Sequence, residues 1–416
     1  MRKKFMAMLA AAAMMVSMLA GCGADTSGNE TTQKATTKAT EESASAADKG
    51  TDAKSAETAA PAAASDSGQA KELSVGVVIW SVDDGGLGFS VKKQLEHVGK
   101  ILNVNFIFKG GSVDAESQIK DVENLIAAGV DGILLCPMVD TTIDKFTAMC
   151  DDAGVKLSLM FRSVIDEDVR SVALAAESFV GDICEAEEEA GADLVDALVE
   201  AGAKNLALMY CEPGNSVTDR RQAGINARIE ELGINVVTTY TMPAGTLSAG
   251  FTEGANSILT TYPECDGFLL SFGSDGGIDA VIQLVLSKNL VGKVHVASFD
   301  TVQDTKTAFE NEILVAETCG SQADALFAFM ILYNELQGTP LSDEPIELFS
   351  NYVYIKNTEQ AAKYDEYWSY DTYQLYSEEE IKNMTKVYNP ELTLDQFKEI
   401  VSAYGYEDVL GRLGAE

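Results

Sequence analysis

Histidine is almost missing from this 416-residue chain: only His97 and His295 occur. That poverty argues against a His-based metal site and against a Ser-His-Asp triad, and no GxSxG elbow is present to seat a nucleophile. Positive charge is scarce as well, with 30 basic against 65 acidic residues and a formal net charge of −35. Such a surface repels nucleic-acid phosphates and anionic lipid, so neither is expected as a partner. A solvated acidic exterior that favours solubility explains it without any partner. No CxxC pair exists among the seven cysteines, and Cys136, Cys150, Cys184, Cys211, Cys265 and Cys319 are read as small core residues rather than a disulfide framework. The run Gly85-Gly86-Leu87-Gly88 falls short of GxGxxG, so no nucleotide cofactor, and no cofactor of any kind, is expected. The chain is read as a non-enzyme. The enzymatic alternative is a glycosidase working with paired carboxylates.

What is present begins at the N-terminus. Arg2, Lys3 and Lys4 precede an apolar run from Phe5 to Leu19, shorter than the roughly 20 residues that span a bilayer. The run ends in Leu19-Ala20-Gly21-Cys22, which resembles a bacterial lipobox. That resemblance implies a signal peptide over residues 1–21, lipid on Cys22 and an extracytoplasmic protein anchored to the cell membrane without crossing it. Loss of the three basic residues would take the mature chain to −38. From Gly23 to about Ala70 the chain is Thr, Ala, Ser, Lys and Glu with almost no large apolar side chain, so residues 22–72 are expected to form a disordered tether. A flexible coil of about 50 residues has a reach of about 40 Å.

From Leu73 onward apolar β-rich runs alternate with helical spacing. Leu73–Ser81, Val104–Phe108, Gly132–Cys136 and Val155–Met160 predict strands; Val91–Leu102, Ser117–Ala128 and Thr142–Asp152 predict the intervening helices. After the acidic stretch Glu185–Glu189 the pattern restarts, with strands over Asn205–Tyr210, Ile234–Thr241, Gly267–Phe272 and Val294–Phe299. The alternation predicts an α/β chain of two doubly wound, parallel-sheet lobes. Ligands of such sheets bind at the carboxyl ends of strands, so the two lobes should face each other across a cleft. Beyond about Asn357 the chain turns Tyr-rich, with Tyr364, Tyr367, Trp368, Tyr370, Tyr373 and Tyr376, followed by one or two short amphipathic helices over Glu391–Leu410. Packing onto the lobes is the simpler role for these aromatics; a carbohydrate-stacking surface is the alternative.

Several motifs carry a family resemblance. Gly111-Ser112-Val113-Asp114 through Gln118, Glu123 to Ile133 leading into Cys136-Pro137, Gly154-Val155, Arg221-Gln222-Ala223-Gly224 and Phe299-Asp300 together resemble the type I periplasmic binding proteins of the ribose- and galactose-binding sort. The likeness spans about Leu73 to Gln337. It implies two lobes joined by three crossings, here near Ala175–Asp182, Cys319–Gln322 and Phe349–Tyr354, closing on a ligand like a hinged clamp. Lobe 1 would comprise residues 73–178 and about 320–348. Lobe 2 would comprise 179–319 and about 349–365, with 366–416 as a helical extension. The resemblance also implies a monomer that hands a monosaccharide or related polyol to an ABC permease. The alternatives are a ligand-binding subunit of a sensor or chemoreceptor, a binder of a non-sugar ligand such as autoinducer-2, and a LacI-type regulator, the last opposed by the lipobox and the lack of a basic segment before Leu73.

A sugar needs aromatic faces for its C–H surface and directed polar groups for its hydroxyls. After the first strand these are Ser81, Asp83 and Phe89, with Trp80 divided between site and core. Next comes Phe161-Arg162, where the resemblance implies Asp-Arg; Arg162 matches and Phe161 departs. Asp219 falls where ribose-type proteins have a ligand arginine, while Arg221 is read as the structural arginine of its motif. In the second lobe Phe272 and Asp275 lie near an Asn-Asp pair of the family, Asp300 matches its Phe-Asp motif, and Gln322 lies near its hinge glutamine. Asp300 has a second reading, as the cap of a helix starting near Val302. Loss of one carboxylate and gain of another rearranges the hydrogen-bond code, so the relatives' aldopyranoses do not transfer directly.

Overall fold

The computed structural model describes residues 70–414, apart from 83–85, 113, 215, 244–246, 274–275 and 369–372. The proposed signal, Cys22 and the tether therefore lie outside the described residues. In chain order the strands are β1 (Leu73–Val78), β2 (Val104–Lys109), β3 (Gly132–Leu135), β4 (Lys156–Met160), β5 (Phe179–Glu185), β6 (Asn205–Tyr210), β7 (Asn235–Thr241), β8 (Gly267–Leu270), β9 (His295–Ser298), β10 (Leu314–Cys319), β11 (Ile346–Ser350) and β12 (Val353–Ile355). They form two six-stranded sheets, ordered β11-β5-β4-β3-β1-β2 and β12-β10-β9-β8-β6-β7. Every pairing is parallel except β10 with β12.

The local causes are simple. Strands such as β3 and β8 are buried at every position, as crossover helices on both faces demand. The helix Leu87–Leu102 buries Val91, Leu95, Val98 and Leu102, one face at helical spacing. Asp114 caps the helix Ala115–Ala127 by accepting the Ser117 N–H, and Gly154 closes Ile143–Ala153 in the left-handed conformation. Among the described residues no helix is long and apolar enough to cross a membrane. The six described cysteines are free, five of them buried; burial pushes the Cys136 thiol up to about 11 and the Cys150 thiol to about 12.

The segment expected to hold the first crossing, Ala175–Asp182, instead runs into β5, which pairs with β4 and β11 in the first sheet. The chain leaves that sheet only after Glu185, because Phe179, Ile183 and Cys184 are buried as part of its core. It returns through Gly320 and Ser321 into the helix Gln322–Leu336, then crosses again between Ser350 and Val353. The helix Gln322–Leu336 is buried along almost its whole length and on all sides.

Part of its cover comes from the tail, in the helices Thr358–Tyr367, Glu378–Asn383, Leu394–Ala403 and Tyr406–Leu413. Trp368, Tyr364, Tyr376 and Tyr404 are buried, and the Phe327 ring meets Tyr376, Phe397 and Tyr404 at 6.0, 6.3 and 6.0 Å. These four pack rather than form a stacking surface, while Tyr367 is exposed and Tyr373 half-buried. Tyr370 lies outside the described residues.

Candidate functional site

In each sheet the strand order reverses direction once, between β1 and β3 in the first and between β6 and β8 in the second. Loops leaving adjacent strands at such a point diverge and open a crevice at their carboxyl ends. The polar groups found there are Pro137 to Asp140 after β3, Phe161 to Ser163 after β4, the start of the helix Ser216–Leu232 after β6, and Asp300 after β9.

The lobes touch directly across this crevice. Asp140, from the first lobe, accepts the backbone N–H of Ser216 in the second at 2.5 Å. Ser163 N–H donates to Ser216 Oγ at 3.4 Å, and Arg220 Nη1 donates to Ser163 Oγ at 3.1 Å. The Asp140 carboxylate thus meets the N-terminus of a helix in the other lobe, where unpaired amides favour negative charge. Its second oxygen, Oδ1, is buried with no hydrogen-bond partner among the described residues. Burial raises the Asp140 carboxyl above its ordinary range, while nearby Arg162 and the Ser216 N–H pull it down and Asp219 pushes it up.

Arg162 is buried and spends two of its donors on backbone carbonyls, Nε on Pro137 O at 3.1 Å and Nη1 on Phe161 O at 2.6 Å. Those bonds aim a planar guanidinium beside Asp140. Phe161 is buried in the left-handed region at φ 60°, and its ring meets Trp80 edge-on at 5.6 Å. Asp300 has the same unusual backbone, φ 67°, and accepts the Gly273 N–H at 3.1 Å. Left-handed non-glycine residues at two strand ends are the kind of strain that functional sites hold in place.

Arg221 supports this arrangement from behind. Its guanidinium lies 4.1 Å from the Phe299 ring centre, bonds Glu187 at 2.6 Å and Ser271 O at 2.9 Å, and donates to Tyr352 Oη. Glu187 and Tyr352 belong to two different crossings, so one buried cation ties both to the second lobe. Burial lifts the Glu187 carboxyl, opposed by Arg221.

The candidate side chains divide on this geometry. Arg162 and Asp219 come together around Asp140, Phe161 packs with Trp80, and Asp300 sits at the end of its strand near Arg221. Asp300 does not cap the following helix: Asp304 does, accepting the Thr307 N–H, and the helix spans Thr305–Glu310. Asp219, in the first turn of the helix Ser216–Leu232, accepts the N–H of Gly214 just before that helix at 3.3 Å. Gln322 is buried at the second crossing, its Oε1 without a partner among the described residues. Ser81 is half-buried, and its carbonyl leaves no room for a side chain at Gly88. Phe89 is half-buried under Lys93, 5.2 Å from the ring centre, and Phe272 packs partly buried against its own core. Asp83 and Asp275 lie outside the described residues. Asp140 was missed. Its only sequence signal was an isolated carboxylate three residues after the proline that ends a buried strand, and nothing local announced a partner 76 residues on.

Residues 75–340 match the periplasmic binding protein domain family. The chain is 29% identical over 174 residues to the ribose import binding protein RbsB of Bacillus subtilis (strain 168), a match covering 42% of this chain and 54% of that protein. The chain thus spans about half the length of this curated relative. An ABC transporter solute binding protein from Bacillus halodurans C-125, with bound myo-inositol, superposes with a TM-score of 0.58 at 21% identity, covering 72% of this chain and 99% of the other. A periplasmic solute binding protein from Actinobacillus succinogenes 130z with bound D-allose gives 0.61 at 18% identity, covering 70% and 100%. The two structures share the fold. With more than half of the chain matched and both sheets, their order and the three crossings in place, this chain belongs to the type I periplasmic binding protein family, whose members include the sugar-binding solute receptors of ABC transporters.

Proposed function

We propose that this chain captures an uncharged sugar or related polyol by lobe closure and delivers it to an ABC permease, held at the outer face of the cell membrane by lipid on Cys22. The reading rests on Asp140, a buried carboxylate with one oxygen on the opposite lobe and the other unpartnered. A ligand hydroxyl donating to that second oxygen would couple occupancy to closure through a single side chain. Around it the chemistry is rich in acceptors: Asp140, Asp219, Asp300 and Gln322 accept, and Arg162 donates. Such a set favours a neutral ligand with several O–H donors and repels anions. Phe161 and Trp80 supply an apolar wall for C–H surface. The sugars and polyols bound by the relatives lend the same support.

A thermal-shift screen of the purified chain against monosaccharides, polyols, nucleosides and autoinducer-2, followed by calorimetry, tests this. We expect a sugar or polyol to bind, with Asp140→Asn weakening it about tenfold or more, as loss of a charge-assisted hydrogen bond does. Stabilisation by a nucleoside or autoinducer-2 alone, with every sugar and polyol silent, would sink the reading.

A further inference from the structure

The segment after β12 is not needed to complete either sheet, yet it is fastened to both lobes and to the crossings between them. On the second lobe the helix Thr358–Tyr367 packs against Thr305–Glu310: Asp365 accepts the Lys306 N–H at 3.1 Å, and the Tyr364 and Thr301 hydroxyls lie 3.4 Å apart. On the first lobe Asn334 donates to Met384 O at 3.1 Å and accepts the Lys386 N–H at 2.7 Å, while Lys386 Nζ reaches Pro340 O at 2.8 Å. The same segment grips two crossings. Tyr404 Oη donates to Gly320 O at 2.6 Å, and Asn351 Nδ2 donates to Ser402 O at 2.7 Å and Tyr404 O at 3.2 Å. Gly320 holds φ 89°, and a methyl group there would come within 2.8 Å of Val353, 2.9 Å of the Tyr404 hydroxyl and 3.2 Å of the Trp368 ring.

A hinged clamp moves by changing a few backbone angles at its crossings. Gly320 is such a residue, and its carbonyl and Cα face are both occupied by the tail. Two residues further on is Gln322, the buried site candidate at the start of its helix. We propose that Tyr404 and Asn351 are positioning residues for closure: through them the C-terminal segment holds two of the three crossings in the conformation that brings Asp140 against Ser216. The inference rests on the clamp reading and not on the kind of ligand. The segment lies beyond residues 75–340, which match the family.

The test measures lobe separation in the full chain without ligand. Bio-orthogonal amino acids replace exposed Lys120 on the first lobe and Glu253 on the second, and spin labels attached to them report the distance distribution. Tyr404→Phe removes only a hydroxyl, and Asn351→Ala truncates an exposed side chain, so both variants should fold. We expect Tyr404→Phe to raise the ratio of open to closed molecules about fivefold, the factor that goes with one lost net hydrogen bond, Asn351→Ala, which removes two, to raise it at least as much, and the double variant to raise it further. A purely structural role would lower the melting temperature and leave the distances alone. Distributions superimposable on wild type in both single variants and in the double variant, with folding verified by circular dichroism, would overturn the proposal, as would a shift toward shorter distances. A failed sugar screen would not affect this result, so the two readings fall separately.

Discussion

Asp182 shows how much a single buried residue shapes the pH response. It lies on β5, accepts the Val164 N–H at 3.1 Å through Oδ2, and leaves Oδ1 buried without a partner among the described residues. The nearby Arg170 is engaged by both oxygens of Glu347, at 2.7 and 2.8 Å, which leaves Asp182 poorly compensated. Burial therefore pushes its carboxyl up to about 7, helped by the Glu347 charge and opposed by the Val164 N–H and Arg170. A carboxyl raised in the folded state binds more protons there than in the unfolded chain. Its contribution to stability is present in full below about pH 4 and is lost as pH climbs through about 7. Asn in its place keeps the acceptor for Val164 and carries no charge. We expect the melting temperature of Asp182→Asn to exceed wild type by a margin that grows between pH 5 and pH 8. Parallel curves for the two proteins would show that Asp182 is not held protonated. None of this was legible in the sequence, where Asp182 was only a polar residue in an apolar run.

The motif Arg221-Gln222-Ala223-Gly224 was recognised by likeness, and the structure gives its physical content. The helices Glu187–Glu200 and Ser216–Leu232 cross so closely that a methyl group on Gly224 would stand 2.0 Å from the Glu188 carbonyl oxygen, and one on Gly191 would stand 2.7 Å from the Arg221 carbonyl oxygen. Two glycines thus form the contact that lets Arg221 reach Glu187, Ser271 and Tyr352. Gly224→Ala should force the helices apart, lowering stability by about 1–3 kcal/mol as overpacking does, with a lower urea midpoint and an unchanged slope. An unchanged midpoint would mean that the helices separate freely. Periodicity made most elements legible, since strands buried on both faces are apolar throughout and helices repeat every three to four residues. The first crossing was not, because β5 (FVGDICE) carries Gly181 and two acids that weaken its apolar pattern, while its partner β11 lies more than 160 residues away.

Across the whole molecule the division into two lobes coexists with a shared interior. One hydrophobic cluster contains Leu134 and Ile183 of the first sheet, Met209 and Leu270 of the second, the helix Gln322–Leu336, and Trp368, Phe397 and Tyr404 of the tail. The sequence carried the two α/β runs and an aromatic tail, but not the fact that the tail covers a largely apolar helix buried on every side. Composition shows that such a helix must be buried; it does not say by what. The consequence concerns cooperativity. Lobes joined only by three strands of chain would unfold as separate domains, each with its own transition. Each lobe also has a cluster of its own, but lobes that share a third lose it together, because exposing either leaves apolar surface of the other in water. We expect the described fold to melt in a single calorimetric transition whose measured enthalpy equals its van't Hoff enthalpy. Phe327→Ala, which removes the ring that Tyr376, Phe397 and Tyr404 pack against, should lower that transition, consistent with a cost of about 3–5 kcal/mol for a buried aromatic. Two resolved transitions in the unmodified chain would show that the lobes are independent and that the tail belongs energetically to only one of them.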